Sequence, residues 1–461
     1  MNKPNIILIT IDSLRHDYLG FMGCDKKDAS PNIDAVAKES TVFKNAFSAG
    51  PVTPHSFPSI LTSTYPLDYN GPIIEKPRLL ISELLQKNGY CTAGFHSNPF
   101  LGGFFGYNQG WDFFEEVSLL KMDFFPKKKM FFTAVKEWAR KIMLFLVPNL
   151  FFLIAYLRYR FKRKKEESSS GKYITKIAKD FISSRNEDAP FFLWVHYMDV
   201  HYPYFARENV LLRPLSFKEY ISGYGIAYMA VCPTKALKKT VEKNLDLTKK
   251  LYLDGVSYVD GQIKEIVDLL KQKKIYDNSV LIITSDHGDE FLEHGSGSHQ
   301  NKLYNELLKV PLLIKIPGKE PGKNESAVSL VDLPPTICDL AGVETDAYFK
   351  GKNLFINNEN VPVFSETGFG KKRTRYAGKI DTIKYLEIKD IKQCKISCQS
   401  NDWKFILNYD LDSEELYNLQ NDPKEQENLV LENTGVASQM RRAIDDFKKK
   451  NPPLAKIKQE N

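Results

Sequence analysis

The chain has 461 residues, of which 43% are hydrophobic and 26% charged, and its net charge is +7. That apolar share excludes a mainly disordered chain, and 26 Gly and 24 Pro are too few for a collagen-like or low-complexity one. Six Cys exclude a disulfide scaffold, and Cys394-x3-Cys398 has no second pair at zinc-ligand spacing.

In chain order, residues 5–11 (NIILITI) read as a buried strand. The run meets Asp12 after seven residues and has no small-residue cleavage site, so no signal peptide is expected. Ile81, Leu84 and Leu85 suit a helix, and 91–96 (CTAGFH) a strand. Strands follow at 190–196 (PFFLWVH), 279–285 (SVLIITS) and 310–316 (VPLLIKI). Between them Val256, Val259, Ile263, Ile266, Val267 and Leu270 keep helical spacing. Continuous rather than alternating apolarity means burial on both sheet faces. The alternation predicts an α/β fold with a mainly parallel sheet flanked by helices. From about 346 the pattern changes to short polar–apolar strands such as 403–409 (WKFILNY) and a closing helix at 435–449. The predicted organisation is a catalytic domain at 1–117 and 171–345, an insertion at 118–170, and an α+β subdomain at 346–461.

The insertion holds 142–157 (IMLFLVPNLFFLIAYL), without a charge and interrupted by Pro148-Asn149. Sixteen residues fall short of the roughly 20 that cross a bilayer as a helix. Lys127, Lys128, Lys129, Arg140 and Lys141 precede it, and Arg158, Arg160, Lys162, Arg163, Lys164 and Lys165 follow it. Residues 118–170 carry 13 Lys/Arg and 4 Asp/Glu, a net of +9, so the rest of the chain is at −2. The +7 is therefore local. Two readings stand: a hairpin on or dipping into an anionic membrane leaflet, or a buried helix pair. The expected location is cytoplasmic, with peripheral contact to a membrane. No nucleic-acid motif, G-x-G-x-x-G or P-loop occurs, so no nucleic acid is expected.

Ligands of parallel sheets bind beyond the carboxyl ends of the strands. The strand at 5–11 ends in Asp12, and the strand at 279–285 ends in Asp286-His287. Two carboxylates and an imidazole can hold one divalent cation, though an acid there also serves as an ordinary helix cap. Between them Thr53-Pro54-His55-Ser56 concentrates hydroxyls before an apolar helix start. A hydroxyl there is activated as a nucleophile by the helix N-terminus and a metal; simple capping is the alternative.

The ordered set resembles the sulfatases of the alkaline phosphatase superfamily. It comprises PNIILITIDSLRHDYLG (4–20), TPHSFPSILTSTYP (53–66), VHYMDVHYPY (195–204), YVDGQI (258–263), ITSDHGDEFLEHG (283–295), HQNKLYNELLKVPLLI (299–314), SLVDLPPTICDLAG (329–342) and ELYNLQNDPKEQENL (415–429). The resemblance implies an alkaline-phosphatase-like fold and one divalent metal, Mn, Mg, Ca or Zn, held by Asp12, Thr53, Asp286 and His287. It makes Thr53 the nucleophile, with Ser56 in reserve, and His201 and His299 the histidines that assist the leaving group. Lys302 falls near the family's downstream basic residue. His96 and Asn98 end a strand and face either the pocket or the core.

One departure is decisive for the chemistry. Sulfatases that oxidise their nucleophile to formylglycine carry Cys or Ser in C/S-x-P-x-R, and here the stretch is Thr53-Pro54-His55-Ser56-Phe57. A threonine β-carbon bears a methyl group, so no formylglycine is expected. A plain alkoxide route suits phosphorus, where in-line displacement is well stabilised. The expected function is hydrolysis of sulfate or phosphate esters by Thr53. Its alternative is a phosphodiesterase, or a phosphoglycerol- or phosphoethanolamine-type transferase, acting on lipid or glycan. The substrate is a small-molecule, glycan or lipid-headgroup ester. A further class is a non-catalytic membrane- or glycan-binding protein on a decayed scaffold.

Overall fold

The computed structural model describes residues 3–25, 29–68, 73–117, 148–162, 170–185, 189–204, 216–231, 234–356, 361–368, 394–400, 402–409 and 411–451. Its strands are β1 (Asn5–Ile11), β2 (Thr41–Phe47), β3 (Cys91–His96), β4 (Phe113–Glu116), β5 (Phe191–Tyr197), β6 (Ser279–Ser285), the ribbon strands β7 (Glu290–Phe291) and β8 (Gly297–Ser298), β9 (Lys309–Lys315) and β10 (Gly322–Ser329). Apart from the ribbon these make one eight-stranded sheet in the order β10-β2-β9-β6-β1-β5-β3-β4. β9 runs antiparallel to β2 and β6, and every other pairing is parallel.

The helices are α1 (Pro31–Ala37), α2 (Thr53–Thr62), α3 (Ile81–Lys87), α4 (Pro148–Lys162), α5 (Ser170–Ser184), α6 (Phe217–Val231), α7 (Lys235–Glu242), α8 (Leu245–Gln272), α9 (Asn305–Leu308), α10 (Leu333–Ala341) and α11 (Thr434–Lys450). β1 shows why the fold closes. Its Ile7, Ile9 and Ile11 pack on one face with α5 and α8, and its Ile6 and Leu8 pack on the other with α2, α3 and α10. That two-sided burial is the cause of the continuous apolar runs. The expected helical stripe of α8, from Val256 to Leu270, is buried against the first face.

The runs expected at 5–11, 91–96 and 279–285 are strands over those residues, and those at 190–196 and 310–316 are strands offset by one residue. β2, β4 and β10 were not expected. Lys44-Asn45 interrupts the apolar pattern of β2, and β4 and β10 lie at the sheet edges with many exposed residues.

The smaller subdomain is an antiparallel sheet of β11 (Val363–Gly368), β12 (Cys394–Ser400), β13 (Trp403–Asn408) and β14 (Ser413–Asn418), in that order. Ala437, Met440, Ile444 and Phe447 of α11 cover Ile396, Cys398, Phe405 and Leu416. Its edge strand grips the segment ahead of α2. Ser365 Oγ donates to Ser48 O at 2.6 Å, Glu366 N donates to Ala49 O at 2.8 Å, and Thr367 Oγ1 lies 3.0 Å from His55 Nδ1.

Within the insertion, the described residues 148–162 form α4. Residues 142–147 and the preceding basic cluster Lys127–Lys129, Arg140 and Lys141 lie outside the described residues, as do Arg163, Lys164 and Lys165. Among the described residues, no helix is long and apolar enough to cross a membrane.

Candidate active site

The register of three central strands builds the site. Ile11 of β1 pairs with Ser285 of β6 and with Tyr197 of β5. The next residues, Asp12 and Asp286, therefore emerge side by side, both fully buried. Asp12, Asp286 and His287 each offer a ligand atom, and these atoms lie within 4.8 Å of one another.

Thr53 is the first residue of α2, followed by Pro54, so its hydroxyl stands at the positive end of a ten-residue helix. Its Oγ1 donates to Asp12 Oδ2 at 3.2 Å and lies 3.4 Å from His287 Nε2. Asn98 Oδ1 accepts from Phe100 N at 2.9 Å. Its amide nitrogen therefore faces the site, donating to Asp12 Oδ2 at 2.8 Å and Thr53 Oγ1 at 3.3 Å.

The histidine tautomers follow from their partners. His287 Nδ1 donates to Gly288 O at 2.9 Å, so Nε2 keeps a bare lone pair. That lone pair is 3.4 Å from Asp286 Oδ2, which is buried without a hydrogen-bond partner, and 3.9 Å from Asp12 Oδ1. Three acceptors thus converge with only hydroxyls beside them, Ser13 Oγ 2.8 Å from Asp12 Oδ1 and Thr53 Oγ1 3.4 Å from His287 Nε2. A divalent cation is what such a donor set lacks, and the residues fit one. Burial, then the charge of Asp12, pushes the Asp286 carboxyl well above the usual range. Burial acts upward on Asp12 too, but His201, His196 and His287 outweigh it and hold Asp12 well below the usual range.

His299 and His201 line one wall, their rings tilted at 60° to each other. The His299 ring is 4.4 Å from that of His287 and 4.9 Å from that of His201. His299 Nδ1 donates to Asp289 Oδ1 at 3.0 Å, and Tyr204 Oη donates to Asp289 Oδ2. Burial pushes the Asp289 carboxyl up to about 7. His201 Nδ1 donates to Tyr202 O at 2.5 Å. Burial lowers His201 to about 4, and burial with the neighbouring His287 lowers His299 to about 3. Both rings are neutral at pH 7 until an anion enters.

The structure thus brings together Asp12, Thr53, Asn98, His201, Asp286, His287 and His299. It gives Ser56, His96 and Lys302 other partners. Ser56 Oγ donates to Thr53 O at 3.2 Å, inside α2. His96 stacks on Trp194 with ring centres 5.6 Å apart, and burial lowers it to about 3. Lys302 Nζ binds Glu290 Oε2 at 2.8 Å and His294 O at 2.7 Å.

Three residues escaped the sequence reading. Ser13, at φ 60°, donates from N to Asp286 Oδ1 at 3.2 Å and from Oγ to Asp12 Oδ1 at 2.8 Å. Asp289 orients His299. His196 pairs in register with Thr10, and its Nε2 is 3.4 Å from Asp12 Oδ2. Trp194 Nε1 can only donate, and it does so to Thr10 Oγ1 at 3.0 Å. Thr10 Oγ1 also lies 2.9 Å from His196 Nδ1, which holds the ring with its Nε2 toward Asp12. The Asp286-His287-Gly288-Asp289 stretch was a sequence signal for Asp289; the pairing of Thr10 with His196 had none.

A family model described as Sulfatase matches residues 4–343, and one described as N-sulphoglucosamine sulphohydrolase, C-terminal, matches 293–450. The chain is 25% identical over 466 residues to the choline-sulfatase of Rhizobium meliloti (strain 1021), covering 95% of this chain and 84% of that one. It is 34% identical over 161 residues to the lipoteichoic acid synthase of Staphylococcus aureus (strain USA300), covering 32% of this chain and 25% of that one. Its fold is shared with the crystal structure of the phosphonate monoester hydrolase of Agrobacterium radiobacter, at TM-score 0.69 and 17% identity over 97% of this chain and 96% of that one. The family match spans Asp12, Thr53, Asp286 and His287, and the chain belongs to the sulfatase family, enzymes of the alkaline phosphatase superfamily.

Proposed function

We propose that the chain cleaves sulfate or phosphate esters with Thr53 as nucleophile, and that phosphodiesters are its better substrates. The observation that carries this is the placement of Thr53 Oγ1, 3.2 Å from Asp12 Oδ2 at the N-terminus of α2. Asp12, Thr53, Asp286 and His287 would hold one divalent cation, Mn, Mg, Ca or Zn. When bound, it supplies Lewis-acid stabilisation of charge on the ester oxygens.

The chain's own residues do the rest. With the cation bound, the Thr53 hydroxyl would lose its proton to solvent, and the helix N-terminus favours the resulting alkoxide. The alkoxide attacks phosphorus in line, the bond to the leaving alcohol breaks, and a protonated histidine delivers that alcohol's proton. Asp289 behind His299 stabilises its imidazolium form and favours His299 for this role, with His201 the other candidate. An anionic ester between the two rings raises their basicity from the low values of the free site. Water, or an acceptor alcohol, then gives its proton to the same histidine and attacks the group on Thr53, breaking the bond to Thr53 Oγ1 and releasing it for the next cycle. Asn98 donates to the oxygen of Thr53 in both steps. In this reading Ser56, His96 and Lys302 support the walls of the site.

Threonine cannot become formylglycine, so the sulfate-releasing collapse of an aldehyde hydrate has no counterpart here. The local likeness to a lipoteichoic acid synthase favours phosphorus chemistry and leaves transfer to an alcohol as the second reading. The substrate is then an ester on a lipid headgroup or a glycan, with the 118–170 insertion in contact with an anionic membrane. A side-by-side assay of an aryl sulfate, a phosphate monoester and a phosphodiester with Mn, Mg, Ca and Zn tests the preference. The diester is expected to turn over fastest; a faster aryl sulfate overturns it. A decayed, non-catalytic scaffold would bind none of the metals stoichiometrically.

A further inference from the structure

We infer that the Leu150–Leu153–Leu157 face of α4 docks on an anionic phospholipid bilayer and sets the active site beside it. α4 is apolar on two opposite faces. Phe151 and Phe152 are buried, with rings 5.1 and 5.6 Å from that of Tyr228 on α6. Tyr156 meets Phe217 and Tyr220 of the same helix at 5.5 and 5.7 Å. On the other side Leu150, Leu153 and Leu157 are 45%, 41% and 45% exposed, at the spacing that lines one helix face. The other exposed leucines, Leu411 and Leu431, stand singly. A surface helix apolar on both sides lacks its second partner, and among the described residues nothing covers this one.

Charge selects the occupant. Arg158, Arg160, Lys162, Arg163, Lys164 and Lys165 follow the last leucine directly, and 118–170 carries a net charge of +9. A second copy would bring +9 against +9, so self-association through this face is opposed. An anionic bilayer suits both features, an exposed leucine face and a basic sequence next to it. Among the described residues α4 extends about 22 Å, and none of the helices is long and apolar enough to cross a membrane.

The packing behind α4 links this face to the site. On α6, Gly225 packs closely on Val241 of α7 with Phe152 of α4 in contact beside it, and the next residue, Ile226, sits against Gly297 of β8. Gly297 is two residues from His299. One helix thickness, about 10 Å, thus separates the docked helix from the strand that delivers His299. This rests on the ester-cleaving reading, and it narrows the substrate to an ester anion carried on a lipid headgroup.

The test is vesicle co-sedimentation of the full chain and of the L150Q/L153Q/L157Q variant. Phosphatidylcholine vesicles with and without 30% phosphatidylglycerol are the probes, and turnover of a soluble aryl phosphodiester and the melting temperature are the controls. The wild type should bind the anionic vesicles and lose binding in 0.5 M salt. The variant should bind at least tenfold less, with soluble turnover and melting unchanged. Equal binding of variant and wild type, no wild-type binding, or a wild-type dimer that the variant converts to a monomer would overturn the docking. Vesicle binding that fails while the diester is cleaved leaves the ester reading intact. Binding lost in the variant while no ester is cleaved upholds the docking and removes the ester reading.

Discussion

Asp12 and Asp286 leave adjacent parallel strands one position beyond the paired Ile11 and Ser285, so two carboxylates are buried side by side. Register alone enforces this. Without a cation the pair is unfavourable, as the raised carboxyl of Asp286 shows. Asp286→Asn should therefore raise the melting temperature of metal-free protein while abolishing its rise with added metal. In the wild type that rise corresponds to about 2.7 kcal/mol at a hundredfold excess over Kd. Thermal scans with and without Mn and a chelator check both directions.

Trp194, Thr10 and His196 form a chain of contacts that ends 3.4 Å from Asp12 Oδ2, behind the site. Thr10→Val keeps the side-chain shape but removes the hydroxyl that holds His196 Nδ1. Metal affinity, read by calorimetric titration, should fall about 10- to 100-fold, the usual cost of losing support behind a metal ligand. An unchanged Kd means His196 does not position Asp12.

Asp289 faces His299 at 3.0 Å and has Tyr204 on its other oxygen. Asp289→Asn keeps the shape and weakens the support for a protonated His299. Cleavage of a diester with an alkyl leaving group should slow about 100-fold, while one with a nitrophenyl leaving group, which needs no proton, should change little. Equal losses on both substrates would assign Asp289 a structural role.

Buried neutral histidines make the fold sensitive to acid. Burial lowers His55 to about 4, and burial with the neighbouring His196 lowers His96 to about 3. Unfolded, both titrate near 6.5. Between about pH 6.5 and 4 the unfolded chain therefore holds more protons, and stability falls as pH falls. Each contributes up to about 1.4 kcal/mol per pH unit there. Urea midpoints from pH 7.5 to 4.5 measure the slope, and His55→Asn should reduce it by about one proton.

The central strands were legible because burial on both faces writes a continuous apolar run, and their ends therefore placed Asp12, Asp286 and His287. Thr53 was legible as a hydroxyl before a helix. The polar strands β2 and β10 were not, since Lys44, Asn45 and the GKNES stretch break the apolar pattern. Ser13 and His196 act through cross-strand register, which no local pattern shows. Lys302 lies close to His299 in sequence, yet the β7–β8 ribbon directs its ammonium to Glu290.

The central claim is that Thr53 carries the transferred group, and rapid-quench mass spectrometry on a phosphodiester substrate tests it most directly. The wild type should yield a peptide spanning Thr53 that bears the phosphoryl ester, and Thr53→Ala, folded and metal-loaded, should yield no adduct and no turnover. Full turnover by Thr53→Ala, or an adduct on Ser56 instead, would contradict the account.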